Sequence, residues 1–407
     1  MKETDIKSEP LQGKTEYDFD KAVERRRTGS MKWDVGDDEL PMWVADMDFQ
    51  TAPEVIKAIE KRAEHGVFGY CDVDDDWYDA YISWWQRRHG LKMEKEWLMF
   101  STGVIPTISS AVRKLTTPNE NVLLLTPVYN IFFNSIVNNG ARALESPLKF
   151  DGEAYEIDWE DLERKLRDPQ TTLMLFCNPH NPVGKVWDRS VIARIGELAY
   201  ENHVTVVSDE IHCDLTVPGV SYTPFISVSD KCRQVCIMAI SPTKAFNLAG
   251  IQTSAVCVPD PVLRHKVRRA INTDEVAEPN VFAPVAAVAA FNKGGVWLDA
   301  LSGYLYANRK RVTGFMEDLA QSLEKESLPA PRLIPGEATY LLWIDMREFE
   351  MEADELQSAI RNETGLFLST GSIYGKGGEH FLRMNIACPR ALLEDGLRRF
   401  SDFCFHK

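Results

Sequence analysis

The stretch Val235-Cys236-Ile237-Met238-Ala239-Ile240-Ser241-Pro242-Thr243-Lys244 decides the fold. Its first half is a short, continuous apolar run, the pattern of a strand buried on both faces rather than one with a wet side. Its second half turns polar at once, with two hydroxyls ahead of a lysine. Ligands of open parallel sheets bind beyond the carboxyl ends of the strands, so a polar group in this position marks a candidate site. A lysine in isolation after a strand is an ordinary solvated surface group, and only its neighbours can raise it above that.

Outward from this stretch the same pattern recurs. Apolar runs at 121–125, 172–177, 204–208, 234–239 and 254–258 alternate with amphipathic segments such as 191–202. Strands alternating with helices predict an α/β architecture, a mostly parallel sheet sandwiched by helices, over residues 49–291. Gly294-Gly295 then introduces a long amphipathic helix at 297–325, a strand at 340–344, a helix at 353–362 and a strand at 381–387. These predict a smaller α+β domain over 292–407. Residues 1–48 read as an arm that contributes to the small domain and ends in Trp43-Val44-Ala45-Asp46-Met47-Asp48.

A chain of 407 residues has room for two domains. Its net charge of −15 disfavours a nucleic-acid backbone or an anionic membrane as partner, because like charges repel. Residues 1–20 are charged throughout and lack the apolar core of a secretory signal, which predicts a cytoplasmic protein. The longest apolar stretch, 281–291, falls short of the ~20 residues that span a bilayer. The eight cysteines are scattered, and Cys232 and Cys236 have no second pair to complete a zinc site, so they read as free thiols.

Four strand ends stand out, at Thr126–Tyr129, Asn178–Gly184, Asp209–His212 and Ser241–Lys244. Asp209, opening Asp209-Glu210-Ile211-His212, stands where a buried carboxylate could keep a cofactor's ring nitrogen protonated; otherwise it is a helix N-cap. A strand-end Lys244 buried nearby would have the lowered pKa that suits imine formation, and Ser241 and Thr243 suit a phosphate. Ser101-Thr102-Gly103-Val104-Ile105 leads into a helix with apolar residues at Ile105, Ile108, Val112 and Leu115, whose free N–H groups would face an anion. Asn178-Pro179-His180-Asn181-Pro182-Val183-Gly184 builds two Asn-Pro turns, placing Asn181 to donate to a ring hydroxyl; Tyr129 could stack on the ring or be a core tyrosine. Arg383, inside an apolar run, needs a carboxylate, either structural or a substrate's. Two metal readings, His212-Cys213-Asp214 with Asp209 and the acidic run 72–76, carry little weight, and no metal is expected.

In this order the motifs resemble the class I/II aminotransferase superfamily, the fold type I pyridoxal phosphate enzymes, across almost the whole chain. Trp43 to Phe49, Phe68-Gly69-Tyr70, Asp209 to His212 and Ser241 to Asn247 are similar to the cystathionine β-lyase and C–S lyase branch, the MalY/PatB type. The resemblance implies pyridoxal 5'-phosphate attached to Lys244, paired with Asp209, contacted by Asn181 and stacked on Tyr129, with His212 beside it. Gly103, Val104, Ile105, Ser241 and Thr243 would hold its phosphate, and Tyr70 would reach the phosphate of a second subunit in a homodimer. Arg383, and more weakly the Ala45 backbone, would take the substrate carboxylate. Typical aminotransferases have a tyrosine at the His212 position and a phosphate-binding arginine at that of Gln252. The departures favour β-elimination from cystathionine or related S-substituted cysteines over the two alternatives, an aminotransferase and a non-catalytic cofactor-binding regulator.

Overall fold

The computed structural model describes residues 17–406; residues 1–16, which hold most of the stretch read for a secretory signal, lie outside it. Its main sheet has seven strands: β1 Leu98–Ser101, β2 Asn121–Thr126, β3 Arg142–Pro147, β4 Thr171–Cys177, β5 Thr205–Asp209, β6 Cys236–Ile240 and β7 Ser254–Cys257. Their order is β1-β7-β6-β5-β4-β2-β3. Strands β6, β5, β4, β2 and β3 run parallel, whereas β7 is antiparallel to both β6 and β1. The carboxyl ends of β1 and the five parallel strands therefore share one edge.

The unbroken apolar runs are explained by what covers the two faces. On β4, Leu173, Leu175 and Cys177 point into one core while Met174 and Phe176 point into another. Strand β6 divides in the same way, with Ile237 and Ala239 on one side and Cys236, Met238 and Ile240 on the other. This is the two-residue period of a strand buried on both faces. The first core is closed by the helix Val104–Leu115 and the helix Pro261–Thr273; the second by Asp75–His89, Arg189–Glu201 and Ala283–Lys293. The acidic run 72–76 starts the helix Asp75–His89, with Asp74 as its N-cap accepting from the Trp77 N–H.

A 31-residue helix, Gly295–Lys325, leads to a second sheet of four strands: β8 Arg332–Leu333, β9 Leu341–Asp345, β10 Ser369–Thr370 and β11 Phe381–Asn385, in the antiparallel order β8-β9-β11-β10. The arm joins this part of the molecule, since Leu40–Pro41 pairs with Leu366–Phe367. It then crosses to the main sheet as a strap, residues 43–49. Among the described residues no helix is long and apolar enough to cross a membrane.

Candidate active site

The shared strand edge gathers the polar motifs. In the register of the main sheet Asp209 lies between Cys177 of β4 and Ala239 of β6. The turns that follow these three residues thus start side by side. They are tied across the strand ends, as the Asn178 N–H donates to the Asp209 carbonyl at 2.9 Å and the Glu210 N–H to the Ala239 carbonyl at 2.9 Å. The Asn178–Gly184 turn closes on Gly184, where φ is +72° and an added Cβ would lie 3.1 Å from the Ala338 carbonyl oxygen.

Lys244 projects from the β6 turn, and its ammonium donates to the Ala45 carbonyl of the strap. Burial and the nearby Arg383 guanidinium lower its pKa to about 8, against the pull of Asp46 and Asp209. Asp209 is 4% exposed, and burial raises its carboxyl to about 6, although it accepts from the Ile211 N–H at 3.1 Å and faces Lys244. His212 is buried, and desolvation with the Lys244 and Arg383 charges pushes it down to about 3, so the ring is neutral. Its Nδ1 has no hydrogen-bond partner.

Ser241 and Thr243 share a 2.8 Å hydroxyl contact, and the Ser241 hydroxyl is anchored on the Thr253 carbonyl at 2.7 Å. From β1, Gly103 precedes the helix Val104–Leu115, and a Cβ on it would come within 3.1 Å of the Pro106 ring. The first-turn N–H groups of that helix have no carbonyl inside it to bond. Tyr129 is half-buried, and burial pushes its hydroxyl up to about 12.

Arg383 comes from the other side, on β11, 5% exposed. It donates to the Asn181 side-chain oxygen at 3.1 Å and to the Trp43 carbonyl at 3.0 Å, lies 5.0 Å over the Tyr374 ring, and leaves Nε unpartnered. Among the described residues it forms no ion pair. A buried guanidinium with no carboxylate, a buried acid under a lowered lysine, an unpaired imidazole nitrogen and an open helix N-terminus fit a ligand bearing a ring cation, a phosphate and a carboxylate. Tyr70 is elsewhere: on an extended stretch after the helix Pro53–Glu64, it is fully exposed, apart from the other residues.

Three polar residues hold the strap, and the sequence assigns none of them a role in the site. Tyr340 donates its hydroxyl to the Ala45 carbonyl at 3.0 Å, the same oxygen that Lys244 holds. Asn247 brackets the strap through Met47 and Phe49, and Asn385 through Val44 and Asp46. An asparagine inside the apolar run of β11 was the legible clue. Of the discounted set at residues 209–214, Asp214 instead meets His89 at 2.9 Å and accepts from the Trp84 indole N–H.

A mostly parallel sheet carrying this lysine, acid and asparagine at adjoining strand ends, with a second α+β layer closing over them, has the architecture of the fold type I pyridoxal phosphate enzymes. Residues 38–400 match the family model described as aminotransferase class I and II, and the chain belongs to that family. It is 41% identical over 387 residues to the cystathionine beta-lyase PatB of Bacillus subtilis (strain 168), covering 94% of this chain and 98% of that protein. Among solved structures it is similar to cystalysin from Treponema denticola, which contains pyridoxal 5'-phosphate, with a TM-score of 0.91, 29% identity and coverage of 96% and 99%. It is also similar to the PLP-bound C-S lyase from Staphylococcus hominis, with a TM-score of 0.85, 32% identity and coverage of 96% and 99%.

Proposed function

We propose that this chain is a pyridoxal-phosphate-dependent C–S β-lyase, which eliminates the sulfur substituent of L-cystathionine or related S-substituted cysteines to give pyruvate, ammonia and a thiol. From cystathionine the thiol is homocysteine. The observation that carries it is the juxtaposition of Lys244, amine lowered to about 8, with buried Asp209 at the next strand end and carboxylate-free Arg383 opposite. The names of its relatives point the same way.

Pyridoxal phosphate, when bound, supplies an electron sink conjugated to the substrate's α-carbon. Lys244 would hold the cofactor, and its amine, once free, would take the substrate's α-proton, a task for which a pKa of about 8 is suited. Asp209 would stabilise the proton on the ring nitrogen, and the Asn181 side-chain amide would donate to the ring oxygen. Tyr129 packs against the ring, with neutral His212 beside it. The Gly103, Val104 and Ile105 backbone with the Ser241 and Thr243 hydroxyls hold the phosphate. Arg383 binds the α-carboxylate, and the Ala45 carbonyl, held by Tyr340, keeps Lys244 oriented. Gln252 and His212, in place of the arginine and tyrosine of typical aminotransferases, support elimination over transamination.

On this reading residues 49–291 are the cofactor domain and 292–407, with the arm, the small domain. The eight free thiols suit a reducing cytoplasm. The exposed Tyr70 completes the phosphate site of a second copy in a homodimer. Purified protein is expected to release pyruvate and thiol from a panel of cystathionine, cysteine and S-alkyl cysteines without added keto acid. Turnover that requires a keto acid and leaves pyridoxamine phosphate would instead indicate an aminotransferase. A sedimentation coefficient of a monomer would remove the role of Tyr70 in trans.

A further inference from the structure

Arg383 is held by more than its hydrogen bonds. Across the small sheet its direct neighbours are Trp343 on β9 and Ser369 on β10. The Tyr374 ring, fully buried, lies under the guanidinium with its centre 5.0 Å from the guanidinium carbon. That ring is itself fixed from two sides. Its hydroxyl shares a 2.8 Å hydrogen bond with Ser369, and its plane stands at 86° to the Trp343 indole with ring centres 5.6 Å apart. A cation over an aromatic face gains more when water is kept from it than at an exposed site. The ring holds the charge without consuming an N–H, and Nε stays without a partner.

The same residue reaches the main sheet. The Val128 N–H, next to Tyr129, donates to the Tyr374 carbonyl at 2.8 Å, and the Lys376 N–H donates to the Glu145 carboxylate on β3 at 2.8 Å. Between these two contacts Gly375 has a φ of +86°, and a Cβ there would stand 2.7 Å from Phe133 and from Glu145. The loop 371–378 is thus seated on the segment after β2 and on β3. We propose that Tyr374 is a positioning residue for the substrate's α-carboxylate: its ring sets where Arg383 presents its N–H groups, and its carbonyl fixes that arginine relative to the turn bearing Tyr129. This role rests on the assignment of Arg383 to the substrate carboxylate.

L-Alanine carries the carboxylate but no leaving group, and ethylamine is the same skeleton without the carboxylate, so the pair separates positioning from turnover. Each is titrated into the holoprotein and followed by the absorbance of the bound cofactor. The wild type binds L-alanine more tightly than ethylamine. Y374F, which keeps the ring and loses only the bond to Ser369, binds L-alanine within about threefold of wild type. Y374L, which loses the ring face, binds it about tenfold more weakly. Ethylamine affinity is the same in all three proteins. Y374M, which also fills the space without a ring, takes the place of Y374L if the leucine variant does not retain cofactor. Undiminished L-alanine affinity in Y374L, or an equal loss for both ligands, overturns the proposal. A wild type with no preference for L-alanine removes the Arg383 assignment and the role of Tyr374 with it. With L-cystathionine the KM of Y374L rises by a similar factor while kcat stays within about threefold of wild type. If no protein eliminates any substrate, the lyase reading fails and the L-alanine titration still decides the role of Tyr374.

Discussion

Replacing Arg383 by lysine isolates the feature that most separates a substrate site from a structural ion pair. The guanidinium is 5% exposed, spends one nitrogen on Asn181 at 3.1 Å and another on the Trp43 carbonyl at 3.0 Å, and forms no ion pair among the described residues. Lysine keeps the positive charge, so the electrostatic contribution of this position to the low pKa of Lys244 persists. What it cannot do is present two parallel N–H groups to a carboxylate. Loss of one charge-assisted hydrogen bond costs about 1.5–3 kcal/mol, which corresponds to a rise in KM for L-cystathionine of roughly 10- to 150-fold. Because Lys244 still takes the proton, kcat should change by much less, and the bound cofactor's absorbance should be retained. Initial rates of pyruvate release over a range of substrate concentrations measure this. An unchanged KM in a cofactor-replete variant would refute the assignment of Arg383 to the substrate carboxylate.

Two further outcomes follow from buried charge. Asp48 accepts from Arg25 at 2.7 Å, Trp33 at 2.8 Å and the fully buried Lys32 at 2.7 Å, so Asp48→Asn leaves the lysine no charged partner nearer than the Asp46 carboxylate at 3.9 Å. Breaking a buried pair in this way costs about 3–5 kcal/mol, measurable as a lower denaturation midpoint, and a loss under about 1 kcal/mol would contradict the network's role in anchoring the strap. In cofactor-free protein Lys244 should react with an amine reagent with a midpoint at about 8 in place of the ordinary lysine value of 10.5. Since the unfolded chain binds the extra proton between those values, this group makes stability rise with pH from about 8 to 10.5. The Lys244→Met variant should lose that slope, and a labelling midpoint at the ordinary lysine value would sink the desolvation argument.

How much of this could be read from sequence depends on how local the cause is. The five expected strands of the main sheet lie within a residue or two of β2, β4, β5, β6 and β7, because burial on both faces leaves an unbroken apolar run. The exception is the start of β6, where Gln234 and Val235 end the short helix Asp230–Val235 instead. Strand β3 escaped notice because Arg142-Ala143-Leu144-Glu145 is an edge, half exposed and without such a run. The antiparallel direction of β7 left no mark either, since direction is set by the connection and not by the strand's own residues. Of the site, the residues placed by strand ends were legible. Tyr340, Asn247 and Asn385 were not, because they act on a strap some 200 to 340 residues away in the chain. Tyr70 could be named only by resemblance; a fully exposed tyrosine carries no pattern of its own.

The central claim is that Lys244 moves the α-proton in an elimination, and the most direct measurement is pyruvate release from L-cystathionine by Lys244→Ala against the wild type, both saturated with pyridoxal phosphate. The account predicts steady release by the wild type without any keto acid and none above the protein-free rate by the variant. Equal rates from the two proteins would contradict it.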